Sequence, residues 1–432
     1  MRTFTKLLAA AATAATAAAM AAAPAAMADP PAGATVHRYD VAGIGADTTE
    51  SLFDQFSADY NAAQKAAHKT DSASSPYLYS WDATNPSTGA INDNIVLKQG
   101  CKAIERPDGS SAGIAALTAE NAKDGTVGSG KSKRTAYCID FVRSARNRSA
   151  SDPVYGKGGV AFITLAGDAI TYATQPKSDA PSSLTIAQLY GIYTCKYTNW
   201  KQVGGKNAPI KAFIPESGSG IRSSFLTAIG FPSSSSPPGT CVSDGATKQD
   251  PGGRLQQNEG VSSLLNGADK AEVIVPYAVS KYLAQVYHSA KCLNHFCDQV
   301  TTGTNKGKVC LPSATQDQFG CDEHGSLELN EVSKTAPATP WPLPSGSCTT
   351  KCPVESPSFT PLLQISQYAV VPYSTSTGSV NGIAPYLLPL FGPKGYLCTS
   401  KLAKTDLEDY GFRVFKAGTA TGHSITLCGD TH

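Results

Sequence analysis

With 432 residues, 41% of them hydrophobic and 16% charged, the chain has the composition of a folded protein with room for two ordinary domains. Its 36 basic and 34 acidic residues almost cancel, and they balance once Arg2 and Lys6 depart with a leader. A neutral chain suits neither nucleic acid nor an anionic membrane, so no nucleic-acid partner is expected. The leader is legible in the first residues. Arg2 and Lys6 precede a long alanine-rich run that ends in Ala26-Met27-Ala28, the small-x-small triplet of a secretory signal. Cleavage after Ala28 would start the mature chain at Asp29 and export it, with no cysteine at that point to carry a lipid anchor.

All twelve cysteines follow the leader, and an even set in an exported chain predicts six disulfides. Position along the chain pairs Cys101 with Cys138, Cys195 with Cys241 and Cys398 with Cys428. The other six, Cys292, Cys297, Cys310, Cys321, Cys348 and Cys352, would pair among themselves. His295 is not expected to join Cys292 and Cys297 in a metal site, because the thiols are not spaced C-x2-C and the compartment is oxidising. Neither a metal nor a cofactor is expected.

From Val36 to about Tyr172 short β-rich runs alternate with helical patterns, among them AYCIDFV (136–142) and GGVAFITLAGDAITYA (158–173), the arrangement of an α/β sheet. A second such block reaches about Gln285. Between His288 and Pro361 the cysteines crowd together with proline-rich text and little periodicity, which predicts a disulfide-stapled, loop-rich insertion. Regular structure resumes at YAVVPY (368–373). Phe162, Tyr172, Leu184, Leu189 and Trp200 read as core or lobe surface rather than as a ligand cage.

The stretch ESGSGIRSSF (216–225) follows the strand-like alternation of Ile210, Ala212 and Ile214. It precedes Ile221, Phe225 and Ile229 at helical spacing. It is therefore a strand-to-helix turn. Such a turn leaves the first N–H groups of the helix without partners at the positive end of the helix dipole, and glycine lets an anion approach them. Ser217, Gly218, Ser219 and Gly220, with Arg222 one turn in, make an oxyanion seat; simple capping by Ser219 is the alternative. Two further turns repeat the pattern. GIGADTT (43–49) leads into a helix with Leu52, Phe53, Phe56 and Tyr60 on one face and supplies Asp47 and Thr48. RPDGSSAG (106–113) precedes Ile114 and Leu117 and supplies Ser110 and Ser111. Three such starts on separate βα units can converge on one anion.

At these residues the chain resembles the secreted phosphate-binding proteins of bacterial ABC transporters. GIGADTTESLFDQF, PDGSSAGI, CIDFVRSAR, LTIAQLYGIYTCKYTNW, PESGSGIRSSF, QNEGV and VIVPYAVSKYLAQ stand in that family's order over residues 36–287, with a fainter echo near the end. The resemblance implies a type II periplasmic-binding-protein fold: two α/β lobes joined by hinge strands and closing on an oxyanion. Residues 29–158 would begin lobe 1 and 159–282 form lobe 2. Residues 283–432 would complete lobe 1 and carry the 288–361 insertion. The same resemblance adds Arg143 and Arg146, from the DFVRSAR segment, to the site. Ile221 stands where the family commonly has threonine, and Arg143-Ser144-Ala145-Arg146 follows Asp140-Phe141 where its phosphate binders usually place an aspartate. An acceptor of that kind separates a protonated oxyanion from sulfate, and Asp47 is its expected substitute.

Two motifs point elsewhere and are set aside. Residues 125–132 match G-x-x-x-x-G-K-[ST], but the surrounding text runs from a polar loop into a strand, whereas a nucleotide loop follows a strand and opens a helix. Ser219 lacks the first glycine of G-x-S-x-G, and no motif places a histidine beside it. The expectation is a monomeric, extracellular solute-binding protein, not an enzyme. It would capture phosphate or a related oxyanion and work with an ABC permease. The alternative is a secreted protein of the same fold that acts as a scavenger, surface-interaction protein or phosphoester hydrolase without a permease.

Overall fold

The computed structural model describes residues 29–30, 33–85, 93–119, 126–130, 133–152, 159–232, 237–246, 254–287, 290–291, 321–346, 348, 352–419 and 426–431. The leader lies outside them. Its main feature is a mixed ten-stranded sheet. At one end Leu78–Ser80, Val41–Gly45 and Phe141–Ser144 run parallel; at the other Val242–Ser243, Lys211–Phe213 and Val273–Ala278 do the same. Two long antiparallel strands, Val160–Thr174 and Gln364–Pro372, join the ends. The first pairs through Ile170–Ala173 with Val275–Ala278, while the second pairs through Tyr368–Val370 with Val142–Ser144. Their shared register shifts between Gln367 and Tyr368, a bulge at the crossing from one parallel block to the other. The expected two-lobed α/β fold with hinge strands is what this topology builds.

Strands covered on both faces read as continuous apolar runs, and here each neighbour faces a different core. Val41, Phe141, Ile163 and Ala369 join Leu52, Phe53 and Phe56 of the Glu50–Ala66 helix. Ala42, Val142, Phe162 and Val370 join Ile114 and Leu117 of the Ser110–Ala119 helix. The other block packs Tyr172, Leu184, Leu189 and Trp200 with Ile221, Phe225 and Ile229 of the Gly220–Ile229 helix. The aromatic and leucine positions read as core or lobe surface lie in the core.

Disulfides Cys101–Cys138, Cys195–Cys241 and Cys398–Cys428 form as expected, and Cys348–Cys352 is a bridge within the insertion. Cys292, Cys297 and Cys310, with the Cys321 side chain, lie outside what is described. The insertion is less loop-like than its text suggests. Glu328–Leu329 adds to the long Val160–Thr174 strand, and Leu327, Leu329, Val332 and Phe359 enter the core around Trp200. Two-residue strands carry no readable period, which is why composition alone missed them. Within the glycine-rich 125–132 segment Thr126–Val127 pairs antiparallel with Arg134–Thr135, and Gly125, Lys131 and Ser132 lie outside the described residues. Among the described residues no helix is long and apolar enough to cross a membrane.

Candidate functional site

The three small-polar turns sit at the carboxyl ends of the parallel strands, where open α/β sheets hold ligands. Two of them touch. A β-carbon placed on Gly220 would lie 2.2 Å from Ser110 Oγ, and one on Gly109 would lie 2.6 Å from the Gly218 carbonyl oxygen. Only glycine permits this approach, and Gly109 also takes a φ of +104°. The Ser111 N–H reaches the Gly218 carbonyl at 3.4 Å, and Ser224 Oγ donates to the Ala145 carbonyl at 3.1 Å. The third turn joins through Asn258, whose Nδ2 donates to Asp47 Oδ2 at 2.9 Å and Thr48 Oγ1 at 3.3 Å. Asn258 has a φ of +58°, a left-handed geometry that asparagine tolerates. The seam between the two blocks of the sheet is therefore where all three helix starts meet.

Several expected site residues are engaged by the protein itself. Ser110 Oγ accepts the Ala145 N–H at 3.0 Å. Ser219 is the N-cap of its helix, with Oγ accepting the Arg222 N–H at 3.1 Å and donating to Gln257 Oε1 at 2.6 Å. Arg143, fully buried, braces the first turn: Nε donates to the Ala46 carbonyl at 3.1 Å and Nη2 to that of Gly45 at 3.2 Å. Arg146 grips Asp152 through two bonds of 2.8 Å and reaches Ser111 Oγ at 3.0 Å. Arg222 turns back to the Pro215 carbonyl at 2.9 Å and faces Asp244 at 3.9 Å. Ser217 is exposed at the turn and Gly218 half-buried.

Two donors stand apart from this accounting. Gln257 is 4% exposed, and its Nε2 has no partner among the described residues. The Ser219 hydroxyl accepts from the Arg222 N–H and donates to Gln257 Oε1, which turns the amide nitrogen away from it. Thr49 is 2% exposed, begins the Glu50–Ala66 helix, and its Oγ1 is equally without a partner there. A buried donor left unpaired costs about 1–3 kcal/mol, so one at a helix start and one bonded to the N-cap of another are informative. Sequence reading missed both; QNEGV carries part of the family resemblance, but nothing in its text singles out Gln257.

Charge at the seam is unusual. Lys281 lies 3.2 Å from Asp47 and 3.3 Å from Glu50. Burial alone would raise the Asp47 carboxyl, but the Lys281 ammonium and the Asn258 amide hold it below the ordinary range. Glu50 is pushed well up by burial, with the Asp47 charge adding to the push and Lys281 opposing it. Asp108 is also pushed well up, by burial and then by Glu216 and Asp47. The seam thus sets a carboxyl held below the ordinary range, Asp47, near one pushed well above it, Asp108. Beside it opens a cavity of about 430 Å³ bordered by Asp108, Glu216, Ser217, Gly218 and Arg254.

The expected absence of a metal concerned the cysteine-rich segment around His295, which lies outside the described residues. Elsewhere, ligand-type atoms of His37, Asp40 and Asp71 fall within 4.8 Å of one another. They already satisfy each other, His37 Nδ1 lying 3.0 Å from Asp71 while Asp40 accepts the His37 and Tyr77 N–H groups.

Residues 60–273 match the model of the PBP superfamily domain. This chain carries a PBP superfamily domain. Among solved structures it is similar to an ABC-type phosphate transport receptor from Vibrio cholerae, at 15% identity and TM-score 0.45, over 87% of this chain and 99% of that one. It is similar to PstS from Borrelia burgdorferi at 15% and 0.39, over 87% and 98%, and to a human phosphate binding apolipoprotein at 14% and 0.39, over 88% and 92%. At such values the assignment rests on the domain match and on the sheet topology.

Proposed function

We propose that the chain is an exported solute-binding protein that closes two lobes on a small oxyanion, phosphate being the first candidate, for uptake through an ABC permease. The observation that carries the reading is the pair of buried donors without a partner among the described residues, Thr49 Oγ1 at the start of the Glu50–Ala66 helix and Gln257 Nε2 in the turn bonded to Ser219, the N-cap of the Gly220–Ile229 helix. An anion placed there is offered those two groups and first-turn backbone N–H groups, in a site where helix dipoles act with little screening. The N–H groups of Gly220 and Ile221 are the open pair of their helix, since those of Arg222 and Ser223 go to Ser219.

In this reading the arginines position the seat rather than hold the anion. Arg143 orders the Gly45 and Ala46 carbonyls, Arg146 the Ser111 hydroxyl and Arg222 the Pro215 carbonyl. Asp47, kept ionised by Lys281, is the acceptor for the proton of hydrogen phosphate, which sulfate lacks. The four disulfides among the described residues suit the oxidising compartment that export implies. Titration calorimetry of ligand-stripped protein against phosphate, arsenate and sulfate tests the proposal. Phosphate and arsenate should bind and sulfate should not, and Asp47→Asn should narrow the gap between phosphate and sulfate at least tenfold. Failure of every oxyanion to bind would overturn it.

A further inference from the structure

A cavity of about 820 Å³, roomier than the one of about 430 Å³ beside the seam, opens elsewhere in the molecule. It opens at the amino ends of the Val41–Gly45 and Phe141–Ser144 strands, opposite the helix starts. Its wall includes Tyr60 and Gln64, late in the Glu50–Ala66 helix, and its floor Tyr386, which donates to Asp140 Oδ1 at 2.8 Å. Asp140 immediately precedes its strand and accepts the Ala42 N–H at 2.8 Å, which fixes the floor to that edge of the sheet.

We infer that this cavity is a second binding site, for an acidic oligosaccharide. Its size is that of sites for organic ligands, and a bare oxyanion would fill only a small part of it. Lys69, Lys133 and Arg134 line it, and among the described residues no carboxylate does. In a chain with matched acidic and basic totals, that local excess calls for an anion. Arg134 is set as an anchor. Its guanidinium lies 3.6 Å from the Tyr386 ring centroid, Nη1 donates to the Thr135 carbonyl at 3.1 Å and Nη2 to that of Tyr39, while buried Nε has no partner among the described residues. A guanidinium stacked on a ring and fixed by two carbonyls is a positive charge held in place in the wall, which suits a carboxylate or sulfate group.

The remaining lining favours a sugar over a flat aromatic anion. Tyr60, Tyr137 and Tyr386 offer ring surface, and hydroxyls of Ser74, Ser75, Thr135, Ser374, Ser376 and Thr377 surround it. Ser374 Oγ already exchanges hydrogen bonds with Ser376 at 2.9 Å and Ser379 at 2.8 Å, a hydroxyl array of the kind that meets a polyol edge. The two lysines are exposed and act as mobile charges at the mouth.

The test is calorimetry of the full mature chain with trigalacturonate, maltotriose and ATP as probes, at low and high salt, with phosphate titrated separately. Trigalacturonate should bind at least tenfold tighter than maltotriose or ATP and weaken as salt rises. The double variant Lys69→Ala/Lys133→Ala, confined to exposed side chains, should lose tenfold or more of that affinity while its melting temperature and phosphate titration stay those of the parent. Arg134→Lys, which keeps the charge but not the planar fork, should also weaken trigalacturonate. Absence of trigalacturonate binding, parity with maltotriose, tighter binding of ATP, or an unchanged double variant would each overturn the inference.

Discussion

Thr49→Val separates a ligand seat from a helix cap more sharply than any arginine substitution. The two side chains are nearly isosteric, so the change removes a hydroxyl and leaves the packing of a residue that is 2% exposed. In the ligand-free protein that hydroxyl has no partner among the described residues and caps nothing, since the helix start shows no side-chain capping bond from Thr49. Its removal relieves part of a desolvation penalty of about 1–3 kcal/mol, and the ligand-free melting temperature should rise by roughly 2 °C or more. With phosphate bound, the same hydroxyl donates to a charged acceptor worth about 1.5–3 kcal/mol, so affinity should fall about ten- to a hundredfold. The two states therefore move in opposite directions, and the ligand-induced shift in melting temperature should shrink. Differential scanning fluorimetry with and without saturating phosphate reads both numbers in one experiment. A variant that melted lower when ligand-free and kept the full shift would refute the seat at Thr49.

Gly220→Val should block closure, because its β-carbon would meet Ser110 Oγ at 2.2 Å; the expected outcome is a folded protein with a larger radius of gyration by X-ray scattering and no phosphate response. Asp406, beside Asp59, is pushed from 3.8 to about 8 by burial and then by the Asp59 charge, so the folded form keeps a proton that the unfolded chain has already lost. That stabilisation is complete below about 3.8 and is lost as pH rises toward 8, and Asp406→Asn should flatten the fall in melting temperature across that window. Replacing Cys195 and Cys241 together by serine opens a loop with a sequence separation of 46 and should cost about 4 kcal/mol in denaturant unfolding.

Most of the fold was legible because its signals are local. The alternation of Ile210, Ala212 and Ile214, followed by Ile221, Phe225 and Ile229 at helical spacing, placed a strand and a helix within a residue or two of Lys211–Phe213 and Gly220–Ile229. The even cysteine count behind an export signal anticipated three lobe bridges that the structure contains. The site was legible only in outline. Glycine and serine at a helix start announce a place for an anion, yet they do not say which side chains face it. Arg143 and Arg146 came to the site through the resemblance and Arg222 through its place in the turn, and the structure engages them with backbone carbonyls, Ser80, Ser111, Asp152 and Asp244. Thr49 and Gln257 looked ordinary, and their importance lies in a partner they do not have among the described residues.

By itself the sequence determined the elements, their order and the three turns at which helices begin, because period, capping residues and glycine placement act over a few neighbours along the chain. Tertiary structure decided which turns meet, since contact between Gly109 and Gly218, or between Asn258 and Thr48, depends on how two blocks of parallel strands are set against each other by two long crossings. It also decided the electrostatics at the seam: Asp47 and Asp108 are the same residue type, yet Lys281 at 3.2 Å holds the first carboxyl below its ordinary range while burial pushes the second well above it.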